Sequence, residues 1–154
     1  MTTPTVPASD IDKNLDTACA SVASEIGRTD GKASLLLAFN GAVLAGLGSV
    51  ADKDLPPTTK VFGTFAILAL GAAAVLLLLV VRPRLRGADR ASFPYWARLD
   101  EDEIRACMDD DTRAARIRVL STLAVSKYRH LRRSVDLMLA ALALLALAAA
   151  SLAL

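Results

Sequence analysis

Residues Val61 to Val81 read VFGTFAILALGAAAVLLLLVV and give the clearest indication of the fold class. It carries no charged residue, and as an α-helix it would be about 32 Å long, close to the thickness of the hydrocarbon core of a bilayer. Cations bound it on both sides, with Lys60 before it and three arginines after it, Arg82, Arg84 and Arg86. This pattern predicts a membrane-spanning helix over 61–81.

Two further uncharged stretches lie on either side of this helix. Residues 33–51 read ASLLLAFNGAVLAGLGSVA, and residues 137–154 read LMLAALALLALAAASLAL. Each is about 27 to 28 Å long as a helix, enough to cross a bilayer. A soluble chain of 154 residues would have too little polar surface to cover three such helices. The sequence therefore predicts an all-α integral membrane protein with three transmembrane helices in contact with the lipid bilayer.

The distribution of Lys and Arg predicts the orientation. Of the 18 basic residues, three precede the first span, two lie in 52–60 and the other thirteen lie in 82–136. Cytoplasmic loops retain positive charge. We therefore expect a multi-pass protein of the inner (plasma) membrane, with the amino terminus and 82–136 cytoplasmic. Cys19 and Cys107 would then lie on the reducing side, and we interpret them as packing residues.

The cytoplasmic segments predict one domain over 9–154 that follows a disordered tail, 1–8. A helix over 9–30 has an apolar stripe at helical spacing: Ile11, Leu15, Ala18, Val22 and Ile26. Gly and Pro are absent after Pro94, so a second helix can run from near Asp111 into the third span. Its cytoplasmic part would form a helical stalk whose stripe contains Ile117, Leu120, Ala124 and Leu131. Two short helices bury little apolar area, which favours a homo-oligomer or a bundle continuous with the membrane helices.

Several classes of function lack support in the sequence. The formal net charge of +2 argues against a nucleic-acid partner. We find no catalytic motif, so we expect no enzyme, no catalytic residue and no cofactor. His130 is the only histidine. We interpret the acidic run Asp109, Asp110 and Asp111 as a solvated turn before a helix, and we expect no metal site.

The first polar motif lies where the first span begins, in RTDGKASLLLAFNG, residues 28–41. Arg28, Lys32 and Asn40 are predicted to lie near one face of a helix. The two cations suit phosphates or carboxylates, or they interact with lipid headgroups. Asn40 should contact protein, water or a second copy, because an amide in hydrocarbon needs a partner. Two ridges of small residues are expected to permit close helix packing: Ala38, Ala42 and Gly46, and Gly41, Ala45 and Ser49.

The second polar motif, KYRHLRR over 127–133, precedes the third span. Its basic side chains would anchor that span at the membrane surface. Asp136 lies within reach of Arg132 and Arg133 along the helix.

These two motifs resemble the Pycsar effector membrane-protein family of bacterial antiphage defence, as do Arg82 and Pro83 after the second span. The resemblance rests on RTDGKASLLLAFNG and LAVSKYRHLRRSV and covers about residues 12 to 145. It implies a partner pyrimidine nucleotide cyclase that makes cCMP or cUMP. The effector would respond by impairing the inner membrane, which is abortive infection. The positions that match the family are the candidate ligand or gating residues: Arg28, Asp30, Lys32, Asn40, Lys127, Tyr128 and Arg132.

One departure leaves a second interpretation open. Nothing in the chain resembles a β-roll cyclic-nucleotide-binding domain, and there is no glycine-rich phosphate cradle. The alternative is a non-enzymatic accessory membrane protein of a plasmid or other mobile element, which acts through helix contacts alone.

Overall fold

A computed structural model describes residues 8–50, 53–83, 92–107 and 111–152. The elements it describes are all helices: α1 (Ala8–Gly48), α2 (Pro57–Val81), α3 (Phe93–Trp96), α4 (Glu101–Cys107) and α5 (Arg113–Ala150). Three of them, α1, α2 and α5, are long and apolar enough to cross a membrane. This confirms the predicted all-α class with three spans. Residues 1–7 of the predicted tail, with Asp109 and Asp110, lie outside the described residues.

Helix α2 contains the predicted span 61–81 and begins four residues earlier. Pro57 occupies the first turn, where a missing N–H breaks no helical hydrogen bond. At the other end the backbone N–H of Arg82 donates to the Leu78 carbonyl at 2.9 Å. Arg82 itself has extended backbone, as is usual before a proline such as Pro83, and the helix ends there.

Helices α1 and α5 each join a segment predicted as cytoplasmic to a segment predicted as a span. In α1 the predicted helix 9–30 and the first span form one continuous helix of 41 residues. In α5 the helix begins at Arg113, close to the predicted start near Asp111, and continues to Ala150. The absence of Gly and Pro from this part of the sequence explains its continuity.

The chain divides into two compact units. Unit 1 comprises Met1–Arg28 and Pro83–Ser126, and unit 2 comprises Thr29–Arg82 and Lys127–Leu154. Unit 1 contains the first part of α1, α3, α4 and the first part of α5. Unit 2 contains α2 and the remainder of α1 and α5.

Unit 2 is a bundle in which α2 runs antiparallel to its two neighbours. Lys127 of α5 contacts Asp30 of α1, and the opposite end of α5 contacts the start of α2 through Ser151 and Thr59. The buried residues of α2 repeat at spacings of three and four, which places them on one side of the helix: Ala66, Leu70, Ala73, Leu77 and Val80. The matching side of α5 contains Leu131, Ser134, Met138 and Ala141. Small residues in this seam bring the helices close together.

Much of the outer surface of unit 2 is apolar, as expected of helices in contact with lipid. Leu35 is 73% exposed and Leu139 is 60% exposed. The two predicted ridges of small residues on α1 also lie on the exposed side. A Cβ added at Gly41 or Gly46 would meet no atom within 4 Å. Within the described part of this chain, neither ridge packs against another helix, and close packing of the ridges stays a prediction.

Unit 1 packs the first part of α1 against the first part of α5. Four of the five predicted stripe residues of α1 are half-buried, whereas Ile11 is exposed. On α5, Ile117, Leu120 and Ala124 are half-buried. The Sγ of Cys19 donates to the Arg113 carbonyl at 3.8 Å, and both cysteines are half-buried, in keeping with a packing role.

Candidate functional site

The two family-like motifs meet in unit 2 through one ion pair. The Nζ of Lys127 donates to both carboxylate oxygens of Asp30, at 2.5 Å and 2.7 Å. The Lys127 side chain is 14% exposed and that of Asp30 is 35% exposed, so water reaches the carboxylate more readily than the ammonium group. Asp30 belongs to α1 and Lys127 to α5. The pair therefore connects α1 to α5, although its two residues are 97 positions apart in the chain.

Asn40 lies on the inner side of unit 2, about halfway along the uncharged stretch of α1. Its side chain is fully buried, and Nδ2 donates to the Leu70 carbonyl of α2 at 2.9 Å. This confirms the expectation that Asn40 contacts protein. The Oδ1 atom is buried without a hydrogen-bond donor among the described residues. One end of the amide is thus satisfied and the other is not.

The predicted common face of Arg28, Lys32 and Asn40 is wrong. Asn40 is buried, whereas Lys32 and Arg28 are exposed. Eight residues along an α-helix rotate a side chain by about 80°, so Lys32 points away from the bundle seam that contains Asn40. Arg28 belongs to unit 1, where it forms an exposed ion pair with Glu25 at 3.5 Å.

The remaining candidates, Tyr128 and Arg132, lie on exposed positions of α5. Arg132 shares its side of the helix with three other exposed charged residues, Arg129, Arg133 and Asp136. This group is here called the charged face. Leu131 and Ser134 lie on the opposite side and are buried. Of the seven candidates, Asp30 and Lys127 are brought together directly as an ion pair.

Arg113 forms a second charged cluster, in unit 1, that the sequence analysis did not single out. Its guanidinium donates to Asp16 at 3.2 Å, to the Asp12 carbonyl at 3.3 Å and to the Asp12 carboxylate, and it also contacts Asp111. Hydrogen bonds from Arg113 lower the pKa of Asp111 below its ordinary value. The backbone N–H of Arg113 also donates to Asp111 at 3.1 Å, which agrees with the predicted position of this aspartate at a helix start.

The sequence contains part of the information that predicts this cluster. An arginine close after an acidic run can pair locally with Asp111, but its reach to Asp12 and Asp16 depends on how α1 and α5 align.

A surface groove of about 440 Å³ also runs along α5 in unit 1, lined by Ala115, Arg118, Val119, Thr122 and Leu123. None of the candidate residues lines it. Among the described residues, no His, Cys, Asp and Glu side chains are grouped so as to hold a metal ion.

The comparisons with known proteins identify a family. The Pycsar effector protein domain matches residues 14–154, which is most of the chain. No curated protein and no solved structure gives a significant match. Together with the three helices that can cross a membrane, the match indicates a multi-pass membrane protein. The chain therefore belongs to the Pycsar effector family of antiphage defence.

Proposed function

We propose that this protein is a non-enzymatic effector that impairs the inner membrane when a cyclic pyrimidine nucleotide, cCMP or cUMP, activates it. A partner cyclase would make the nucleotide in response to phage. Family membership is the observation that carries this proposal. The outcome for the infected cell is abortive infection.

The Asp30–Lys127 ion pair supports a specific route of activation. Lys127 is mostly buried and its partner is a carboxylate. A nucleotide phosphate is also an anion that accepts hydrogen bonds from an ammonium group, so it can compete with Asp30 for Lys127. Replacement of Asp30 by phosphate would release α1 from α5. A ligand shifts a protein between two states only through contacts that differ between those states, and this exchange supplies such a difference.

The proposal also includes an orientation and an assembly. The excess of Lys and Arg in 82–136 supports a cytoplasmic amino terminus, which places Asp30 and Lys127 near the side where the nucleotide is made. The cytoplasmic helical stalk follows from the same orientation. Several copies act together, since the exposed charged face of α5 needs polar surroundings that a single copy in lipid does not offer.

The deciding experiment is to express the chain in a bacterium and supply cCMP or cUMP. We expect loss of membrane potential and uptake of an impermeant dye only when chain and nucleotide are both present. The absence of a response to either nucleotide, with the chain confirmed in the membrane, would contradict the proposal.

Single substitutions test the activation route separately. Asp30→Asn leaves Lys127 without its counter-charge and should cause dye uptake without nucleotide. The matched control is Glu101→Gln, which removes an exposed carboxylate whose partner Arg105 lies in the same helix α4. If Asp30→Asn and Glu101→Gln behave alike, the ion pair is not the element that the nucleotide releases.

A further inference from the structure

Two contacts in unit 2 fix the depth of the charged face relative to the uncharged stretches of α1 and α2. The hydroxyls of Thr59 and Ser151 lie 2.7 Å apart. Counted from that pair at about 1.5 Å per residue, Asp136 of α5 and Ala74 of α2 both lie about 22 Å away. Val81, where the uncharged stretch of α2 ends, lies about 33 Å away. Asp136 is therefore about 10 Å inside the apolar part of α2.

The contact at the other end of the bundle gives the same depth independently. Counted from Lys127, which contacts Asp30, Asp136 lies about 14 Å further along α5, level with Phe39 of α1. The uncharged stretch of α1 begins at Ala33, so Asp136 is about 9 Å inside it.

These alignments leave a thin layer in which all three helices are uncharged. It extends over about 12 residues of each helix, roughly 18 Å, whereas the hydrocarbon core of a bilayer is about 30 Å thick. Part of the charged face must therefore lie at hydrocarbon depth. Arginine side chains can extend toward the membrane surface, but the short side chain of Asp136 cannot cover such a distance.

The charged face also points away from the rest of its own bundle. Arg129, Arg132, Arg133 and Asp136 are exposed, and among the described residues none of them forms an ion pair. Leu131 and Ser134, on the opposite side of α5, are packed in the seam. Ionisable residues at membrane depth face a protein partner or water. Within the described part of this chain, no ion-pair partner lies against the charged face.

We propose that the charged face of α5 meets the same face of a second copy within the membrane and lines a water-filled path there. This inference rests on the proposed function and specifies where the membrane is breached: without nucleotide the path reaches the charged face from one side only, and activation extends it across the bilayer. The face contains both signs of charge, with Asp136 one helical turn from Arg132 and Arg133, so it is complementary to itself. A second copy therefore offers Asp136 a guanidinium and offers the arginines a carboxylate.

The experiment measures whether residues of the charged face contact water and whether they lie close to those of a second copy. It uses the full chain with Cys19→Ser and Cys107→Ser, so that the introduced cysteine is the one that reacts. The protein with Asp136→Cys is reconstituted into vesicles of phosphatidylethanolamine and phosphatidylglycerol, without nucleotide. Val75→Cys is the matched control, because Val75 lies at nearly the same depth on α2 and is 57% exposed. Arg133→Cys is a second test variant that retains Asp136.

We expect a membrane-impermeant thiol reagent to label Asp136→Cys or Arg133→Cys at least about tenfold faster than Val75→Cys, because a thiol reacts as its hydrated thiolate. Oxidation should cross-link the two test variants into dimers and leave the control monomeric. Labelling no faster than the control in both variants would overturn the water-filled path. Labelling without cross-linking in either would overturn the second copy as partner. Neither measurement uses nucleotide, so a failure of activation by cCMP or cUMP would leave these results unchanged.

Discussion

Asn40 combines a satisfied donor with an unsatisfied acceptor in a fully buried side chain. Its Nδ2 bonds the Leu70 carbonyl, which already belongs to the hydrogen-bond ladder of α2, while its Oδ1 has no donor among the described residues. A hydrogen bond between membrane helices contributes about 0.6 kcal/mol on average, and an unsatisfied buried acceptor costs about 1 to 3 kcal/mol. In this state of the protein, Asn40 therefore costs stability.

The substitution Asn40→Leu should separate stability from function. It removes the unsatisfied oxygen, so we expect the free energy of unfolding in detergent to stay the same or rise by about 1 kcal/mol. If Asn40 takes part in gating, dye uptake after addition of nucleotide should fall. Thermal unfolding and dye uptake measured on the same variant check both parts. A destabilised protein, or one with full activity, would contradict this account of Asn40.

For individual side chains, the sequence predicted the burial of Asn40 but not the pairing of Asp30 with Lys127. An amide within an uncharged stretch needs a partner, and Asn40 has one. The pairing of Asp30 with Lys127 was not predicted, because residue types do not reveal how two helices align when 97 residues separate them. The common face of Lys32 and Asn40 failed because the two side chains lie about 80° apart around the helix.

At the scale of the elements, Arg113 fastens the start of α5 to the start of α1 through Asp12 and Asp16. We expect Arg113→Lys to loosen this contact, since an ammonium group cannot reproduce the fork of a guanidinium. Amide hydrogen exchange in the first turns of α1 should become several-fold faster. The control is Arg105→Lys, whose partners Glu101 and Asp102 lie within α4. Equal exchange in the two variants would show that Arg113 does not hold α1.

The lowered pKa of Asp111 predicts an acid limit for this contact. Because the folded state favours the charged carboxylate, its stabilisation is present above the unfolded pKa of about 4 and is lost as the pH falls through the lower folded value. The amide protection factors at the start of α5, which compare the observed exchange rate with that of the unfolded chain at the same pH, should fall below about pH 4, and less so in Asp111→Asn. An unchanged pH profile in that variant would contradict a role for Asp111.

The sequence predicted the long helices and the half-buried stripes of unit 1, but within the spans it identified the inner side only of α1, at Asn40. The continuity of α5 follows from the absence of Gly and Pro. The inner side of α2 cannot be recognised by hydrophobicity, because the helix is apolar all round and only the spacing of Ala66, Leu70 and Ala73 distinguishes it. The ridges of small residues on α1 do not identify its inner side either, because small residues occur on both the exposed side and the packed side of this helix.

At the scale of the whole molecule, the distribution of basic residues predicts the topology. A fluorescent protein fused to the amino terminus should fold and fluoresce, and alkaline phosphatase fused to the carboxyl terminus should be active, because that enzyme requires the outer side. Lys53 in the short connection should react with an impermeant amine reagent added to intact cells. Activity of the reversed pair of fusions would contradict the orientation.

The hydroxyl pair of Thr59 and Ser151 would give the proposed opening of unit 2 a direction. An ion pair fastens α5 to α1 at one end of the bundle, and two neutral hydroxyls fasten α5 to α2 at the other. Competing anions, salt and protonation weaken an ion pair but scarcely affect a bond between uncharged groups. We therefore expect an activating anion to loosen the ion-paired end first and to leave the hydroxyl pair as a hinge.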